Sequence, residues 1–265
     1  MKRKTIISII LLAFLTLVLI ILSSTVLGRL CTSSKCDNSI FDFADKNENV
    51  IFSINKCVLF NNCNAKNKTS SISNFTIENL YQYTDIALFI NNNSNENSLE
   101  NTLKSVKINN LKFLEEPSIG NQKIFYKNIN SFAEGLIPEN NIFEDELVFN
   151  ISSKDNEDLS TPTLYNNCAN PIVLSYINKN IKSDYTIADT TSPITYDGSL
   201  LKKCGVLLNS LKTKFSFDIY ITNNLNQEFK CTIYIEPPIE TDKTSLYDGA
   251  ITLTQNTNYN FYRYK

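Results

Sequence analysis

The sequence predicts an all-β protein carried behind one apolar N-terminal segment. Two observations predict the class. Short runs of alternating apolar and polar residues succeed one another from about residue 50 to the C-terminus, and clusters of Asn, Asp, Ser and Lys separate them, which is the pattern of strands and turns. A third observation sets the leading segment apart: Thr5 to Gly28 is a stretch of 24 residues without a charge, preceded by Lys2-Arg3-Lys4.

As a helix, the N-terminal stretch reaches roughly 36 Å at about 1.5 Å per residue. That spans a hydrocarbon core of about 30 Å with some tilt. Secretory signal peptides usually carry a shorter apolar region closed by a small-x-small site, and Val26-Leu27-Gly28 is a weak version of one. The length favours a retained transmembrane signal-anchor, with a cleaved signal and a secreted product as the alternative. The cationic start stays in the cytoplasm, so residues 30–265 lie outside, at the cell membrane. Leu30 and Arg29 stand immediately before Cys31, where a lipid-acceptor cysteine needs small residues.

The strands follow in order. Val50–Asn55, Asn74–Tyr81, Asp85–Ile90, Leu103–Phe113, Gln122–Lys127 and Leu147–Ile151 precede a polar stretch, Ser152 to Asp158. Ile172–Ile177, Tyr185–Ala188, Leu211–Thr222, Phe229–Glu236, Ile251–Thr254 and Tyr259–Tyr264 come after it. Twelve strands exceed one sandwich of about 100 residues. The expected organisation is therefore a cytoplasmic stub and anchor (1–29), a cysteine-containing stalk with a first domain (30–158), and a second domain (159–265). Both domains are expected to be antiparallel β-sandwiches of immunoglobulin-like kind, with one larger sandwich as the alternative. A likeness at that level fixes no function.

Three stretches depart from the plain strand pattern. Leu200, Leu201, Cys204, Leu207, Leu208 and Leu211 recur at helical spacing. Gly205 interrupts them at a cost of about 1 kcal/mol relative to Ala, so the segment reads as two short strands and a turn. Asp197-Gly198 and Asp248-Gly249 each precede an apolar run and read as tight hairpin turns. Asn91 to Asn97 reads as a polar loop.

Composition bears on compartment and partners. The seven cysteines, Cys31, Cys36, Cys57, Cys63, Cys168, Cys204 and Cys231, suit an oxidising space and read as disulfide formers. The first four are expected to pair among themselves near the anchor, and Cys231 to pair with Cys168 or Cys204. A zinc site on the first four is disfavoured because their spacings are loose. Lys2, Arg3, Lys4 and Arg29 belong to the anchor, which leaves 21 positive and 27 negative residues outside it, a net −6. That balance argues against nucleic acid as a partner. Asn makes up about one residue in seven and Lys far outnumbers Arg, the usage of an A- and T-rich coding sequence such as some bacteria have.

The inventory also restricts chemistry. There is no histidine, which removes Ser-His-Asp and Cys-His catalysis. The glycines, at 28, 120, 135, 198, 205 and 249, are too scattered for a phosphate-cradling loop. Asp45 to Asn49 begins like a calcium loop, but Val50 stands where glycine is needed and Lys56 where a bidentate Glu belongs. No cofactor is implied, and an enzyme is not expected.

The leading expectation is a membrane-anchored cell-surface binding, adhesion or envelope module whose partner is a surface protein or a glycan. One alternative is a hydrolase using carboxylates alone, for which Glu115-Glu116 and Glu144-Asp145-Glu146 are the candidates. Another is a pilus-like subunit, although the apolar run lacks the acid such helices usually carry. Within the predicted C-terminal hairpin, Phe215, Phe217, Ile219 and Ile221 alternate with polar residues, as do Phe229, Cys231, Ile233 and Ile235. Facing strands share their apolar side, so Ile221 belongs opposite Phe229 or Cys231, with Cys231 inward. The other side displays Tyr220, Tyr234, Asp218 and Thr232, an amphipathic face suited to holding a partner.

Overall fold

The computed structural model describes residues 50–71, 74–93, 98–138, 140–153, 159–188 and 191–264. The apolar stretch 5–28, Cys31, Cys36 and the Asp45–Asn49 run lie outside the described residues. Among the described residues, no helix is long and apolar enough to cross a membrane. Strands make up 57% of the described residues and lie in two sheets, with very little helix, so the class is all-β.

The first sheet holds β1 (Phe52–Ser71), β2 (Asn74–Asn92), β4 (Asn121–Tyr126), β7 (Ile172–Ile187) and β10 (Ile251–Asn260), in the order β10-β1-β2-β7-β4. The second holds β3 (Leu103–Glu115), β5 (Glu146–Ser152), β6 (Thr163–Tyr165), β8 (Lys214–Asn223), β9 (Glu228–Ile235) and β11 (Tyr262–Arg263), in the order β11-β9-β8-β3-β5-β6. All pairs are antiparallel except β5 with β6. Strands from before and after residue 158 are mixed in both sheets, and they form one compact unit from Asn47 to Lys265. A division at residue 158 would split the β2–β7 and β3–β8 ladders, so the single larger sandwich replaces the two expected domains.

Alternation explains the packing. The inner faces of the two sheets meet in a large core that includes Ile54, Leu59, Ile86 and Leu174 from the first sheet and Val106, Ile108, Phe217 and Ile219 from the second. Aromatic rings cross the interface: Tyr176 stacks on Phe215 at 5.6 Å, and Phe52 meets Phe229 edge-on at the same distance. Such pairs contribute about 0.5–1.5 kcal/mol beyond their area. Ile221 lies opposite Phe229, one of the two expected registers, and Cys231 is buried in this core.

Several expected boundaries shift. Asn74–Tyr81 and Asp85–Ile90 are one strand, as are Ile172–Ile177 and Tyr185–Ala188. Asn91 and Asn92 belong to β2 rather than to a loop. The leucine-rich segment is α1 (Ser199–Lys203) followed by a 3-10 turn (Leu208–Leu211), not two strands. Gly205, at φ +64, sits just beyond the helix and closes it, which is why it does not break it. Asp197-Gly198 and Asp248-Gly249 are not hairpin turns either: the first leads into α1 and the second ends a 3-10 turn before β10. Glycine is required at 198 because a Cβ there would stand 1.8 Å from the Leu246 carbonyl oxygen.

The outer face of the first sheet is closed by the chain itself. Residues 127–138 fold over β2, β4 and β7, and one carboxylate fastens them. Asp85 accepts hydrogen bonds from Lys127 Nζ (2.7 Å), Ser175 Oγ (2.6 Å) and the Ala133 amide (2.8 Å). Tyr81 adds a bond from its hydroxyl to the Gly135 carbonyl, 2.9 Å. The Asp85 and Lys127 side chains are 0% and 2% exposed. Removing one partner of a buried pair strands the other charge, which costs about 3–5 kcal/mol. Asp85→Ala is therefore expected to lower the unfolding free energy by that amount, several times the loss in Glu78→Ala, which breaks an exposed pair with Lys66. Urea titration of both variants checks this.

Candidate functional site

The outer face of the second sheet remains polar, and cross-strand register builds it in rows. Lys107, Tyr220 and Lys230 stand side by side on β3, β8 and β9. The next row is Asn109, Asp218 and Thr232, and a further one is Lys112, Ser216 and Tyr234. The half-buried ring of Tyr220 has an ammonium on each side: Lys107 Nζ at 5.5 Å and Lys230 Nζ at 5.3 Å from its centroid. Tyr264 meets the same ring edge-on at 5.7 Å. Cation–π contacts of this kind contribute about 0.5–1 kcal/mol each near the surface. Glu146, at the start of β5, pairs with Lys107 at 3.3 Å.

Asp218 anchors the second row. Its carboxylate accepts from Thr232 Oγ1 (2.6 Å), Asn110 Nδ2 (2.7 Å) and Lys230 Nζ (2.9 Å). Burial alone would raise its pKa, but the bonds from Thr232, Asn110 and Lys230 outweigh it and hold the carboxyl below its ordinary value. Burial likewise opposes the charge on Lys230, and its bonds to Asp218 and Tyr220 more than offset that, so its pKa lies above the ordinary lysine value. Asn110 reaches the carboxylate through a bulge: its φ is 56°, and the β3–β8 register shifts between Asn109 and Lys112. A surface cavity of about 300 Å³ opens beside the first row, lined by Ser105, Lys107, Asn109, Tyr220, Ile221, Thr222, Glu228 and Tyr264.

Tyr220, Asp218 and Thr232 thus form one network. Tyr234 shares their face but pairs with Ser216, four strand residues from Lys230, or roughly 13 Å along the sheet. The two tyrosines do not make one patch. Lys107, Asn110, Glu146 and Tyr264 join the site from three other segments, which local alternation in the hairpin does not reveal.

The other sequence candidates are dispersed. Glu115 pairs opposite Lys214, whereas Glu146 lies opposite Asn109, six strand residues away, on the order of 20 Å. For that pair the distance is outside the carboxylate separations of glycosidases. Cys57 and Cys63 share the inner face of one strand at a similar separation, beyond the reach of a direct disulfide or a common metal. Among the described residues, no group of three or more Cys, Asp or Glu could hold a metal ion. Cys231 belongs to the large core, with Cys168 packed against it, and Cys204 to a smaller one, so the pairing of Cys231 with Cys204 is not formed. Cys57, Cys63, Cys168 and Cys204 stand as thiols. A larger cavity, about 610 Å³, lies against β4 and β7, and its lining of Lys123, Phe125, Ile137, Pro138, Ile142, Ile177, Lys179 and two Asn contains no carboxylate or hydroxyl.

Compared with known proteins, the chain matches no family model, no curated sequence and no solved structure.

The Asp218 network sets a pH window. A carboxyl whose folded pKa is depressed contributes stability above its unfolded value, 3.8, and loses it as pH falls through the folded value. Lys230 works in the opposite sense: its contribution is complete below 10.5 and is lost as pH rises past that. Asp218→Asn is expected to cost about 1–3 kcal/mol at pH 7. The gap to the parent should begin to narrow as pH falls below about 4 and go on narrowing toward lower pH, which unfolding titrations at pH 7, pH 4 and pH 3 follow.

Proposed function

We propose that the chain is a membrane-anchored binding module of the cell surface. Residues 5–28 hold it in the membrane, residues 30–265 stand outside, and the outer face of the second sheet engages a surface protein or a glycan. The observation that carries this reading is the Lys107–Tyr220–Lys230 row. A tyrosine held between two lysine side chains offers a flat amphipathic surface with little rotamer freedom left to lose on binding. The ionic network of Asp218 beneath it fixes Lys230 in place before a partner arrives. Tyrosine is among the residue types that most often carry binding energy at an interface.

Cross-linking on intact cells that carry the full-length chain, followed by recovery of the complex, tests the face. Tyr220→Ser should reduce recovery about tenfold, the effect of one interface anchor. Tyr234→Ser, roughly 13 Å away, should leave it within about twofold. Recovery unchanged by Tyr220→Ser would make this face scaffold and move recognition to the loops.

The tether is read separately. The mature chain should fractionate with membranes and retain Lys2-Arg3-Lys4 at its N-terminus, as intact mass reports. A mature chain beginning near Arg29 would identify residues 5–28 as a cleaved signal.

A further inference from the structure

Below the large core lies a smaller one, built by Leu80, Leu200, Leu201 and Leu246 with their neighbours, and it contains two cysteines. Cys63 sits on the inner face of β1 and Cys204 just after α1, at 0% and 1% exposure. The segment bearing Cys204 is fixed to β1 at the residue next to Cys63. The Asn62 side-chain oxygen accepts from the Cys63 amide at 2.8 Å and from the Gly198 amide at 3.0 Å, so the start of α1 and the Cys63 backbone share one acceptor. β10 pairs with β1 only as far as Asn61, and α1 packs along β1 beyond that point.

We propose that Cys63 and Cys204 are oxidised to a disulfide that staples α1 to β1. The reaction balances as thiol–disulfide exchange. The two thiols release two protons and pass two electrons to an incoming disulfide of the glutathione or thiol-oxidoreductase class. A bond forms between the two Sγ atoms, and the oxidant's own S–S bond is cleaved to two thiols. Burial, then the charge of Cys204, pushes the Cys63 thiol well up, and burial raises that of Cys204 to about 11. Neither is a thiolate in the closed core at neutral pH. The attack therefore takes place while the segment is open, and closure of α1 over β1 then shields the bond from reductants. The staple closes a loop of about 140 residues, in the range where cross-linking restricts the unfolded chain most.

The test uses the full-length chain, oxidised with glutathione disulfide, its remaining thiols alkylated under denaturing conditions and digested with trypsin without reduction. Trypsin leaves Cys57 and Cys63 together on peptide 57–66 and Cys204 on peptide 204–212. These two peptides should be recovered linked. Cys57→Ala makes Cys63 the only thiol on the first peptide, so survival of the link in that variant assigns it without any change to the small core. Reduction should lower the thermal midpoint of the parent by about 5–10 °C and that of Cys204→Ala by no more than about 2 °C. Full alkylation of Cys63 and Cys204 after oxidation, or a link from Cys204 to any other peptide, overturns the proposal.

Discussion

The pairing of β1 with β2 is the constraint on which the rest depends. These strands, 20 and 19 residues long, are in register from Phe52–Asn92 to Ser71–Asn74 with a few bulges. No single hydrophobic core fits along so long a ladder. Its inner face accordingly passes from the large core (Cys57, Leu59, Ile86, Leu88) through a polar layer to the small core (Cys63, Leu80). The layer is held through one amide: Asn61 accepts from Gln82 and Thr84 and donates to the Pro238 carbonyl at 2.7 Å, while Gln82 Oε1 stays buried without a partner. A buried amide that lost those partners would cost more than it contributes, so the layer fixes where each core ends. α1, the 3-10 turn after it and the segment leading to β10 assemble around the small core because the ladder extends past the point where β10 leaves it.

Where the alternation was local, the sequence made the fold legible. β9 buries Phe229, Cys231, Ile233 and Ile235 and turns Glu228, Lys230, Thr232 and Tyr234 outward, as its letters imply. The Asn-rich stretch Asn61 to Asn67 did not read as strand, because Asn is a turn residue by propensity. It stays extended within the long ladder with β2, and its side chains tie it to distant segments: Asn61 donates to the Pro238 carbonyl, and Asn62 donates to Tyr83 and accepts from the Gly198 amide. Asparagine also takes the place of glycine here. Among the described non-glycine residues with positive φ are Asn110, Asn141, Asn180, Asp184 and Asn226, side chains that tolerate the left-handed region. Asn180 and Asp184 carry such turns inside β7, which is why one strand read as two.

The candidate site was half legible for the same reason. Tyr220, Asp218 and Thr232 follow from the period-two pattern of one hairpin. Lys107 and Glu146 come from β3 and β5, whose pairing with that hairpin is set by burial on the opposite face and leaves no mark on the hairpin's own residues. Asn110 was less legible still: its contact with Asp218 needs a bulge that alternation cannot anticipate. The cysteines followed the same rule. Cys57 and Cys63, neighbours in sequence, are set about 20 Å apart by the extended strand between them, while Cys204, far along the chain, returns to the core that holds Cys63.

The two outer faces then differ in a way that bears on recognition. On the first sheet, Asp85 accepts from Lys127, Ser175 and Ala133, and residues 127–138 lie over it, so the buried charge serves the chain's own closure. On the second sheet, Asp218 binds Lys230, Thr232 and Asn110 in much the same manner, yet no segment comparable to 127–138 folds across its row among the described residues. A buried ion pair is a weak source of net stability, so its value there lies in orientation. It holds the Lys230 ammonium against the Tyr220 ring and keeps that row in one geometry. The same device, one carboxylate collecting three donors, closes one face of the sandwich and orders a row of side chains on the other.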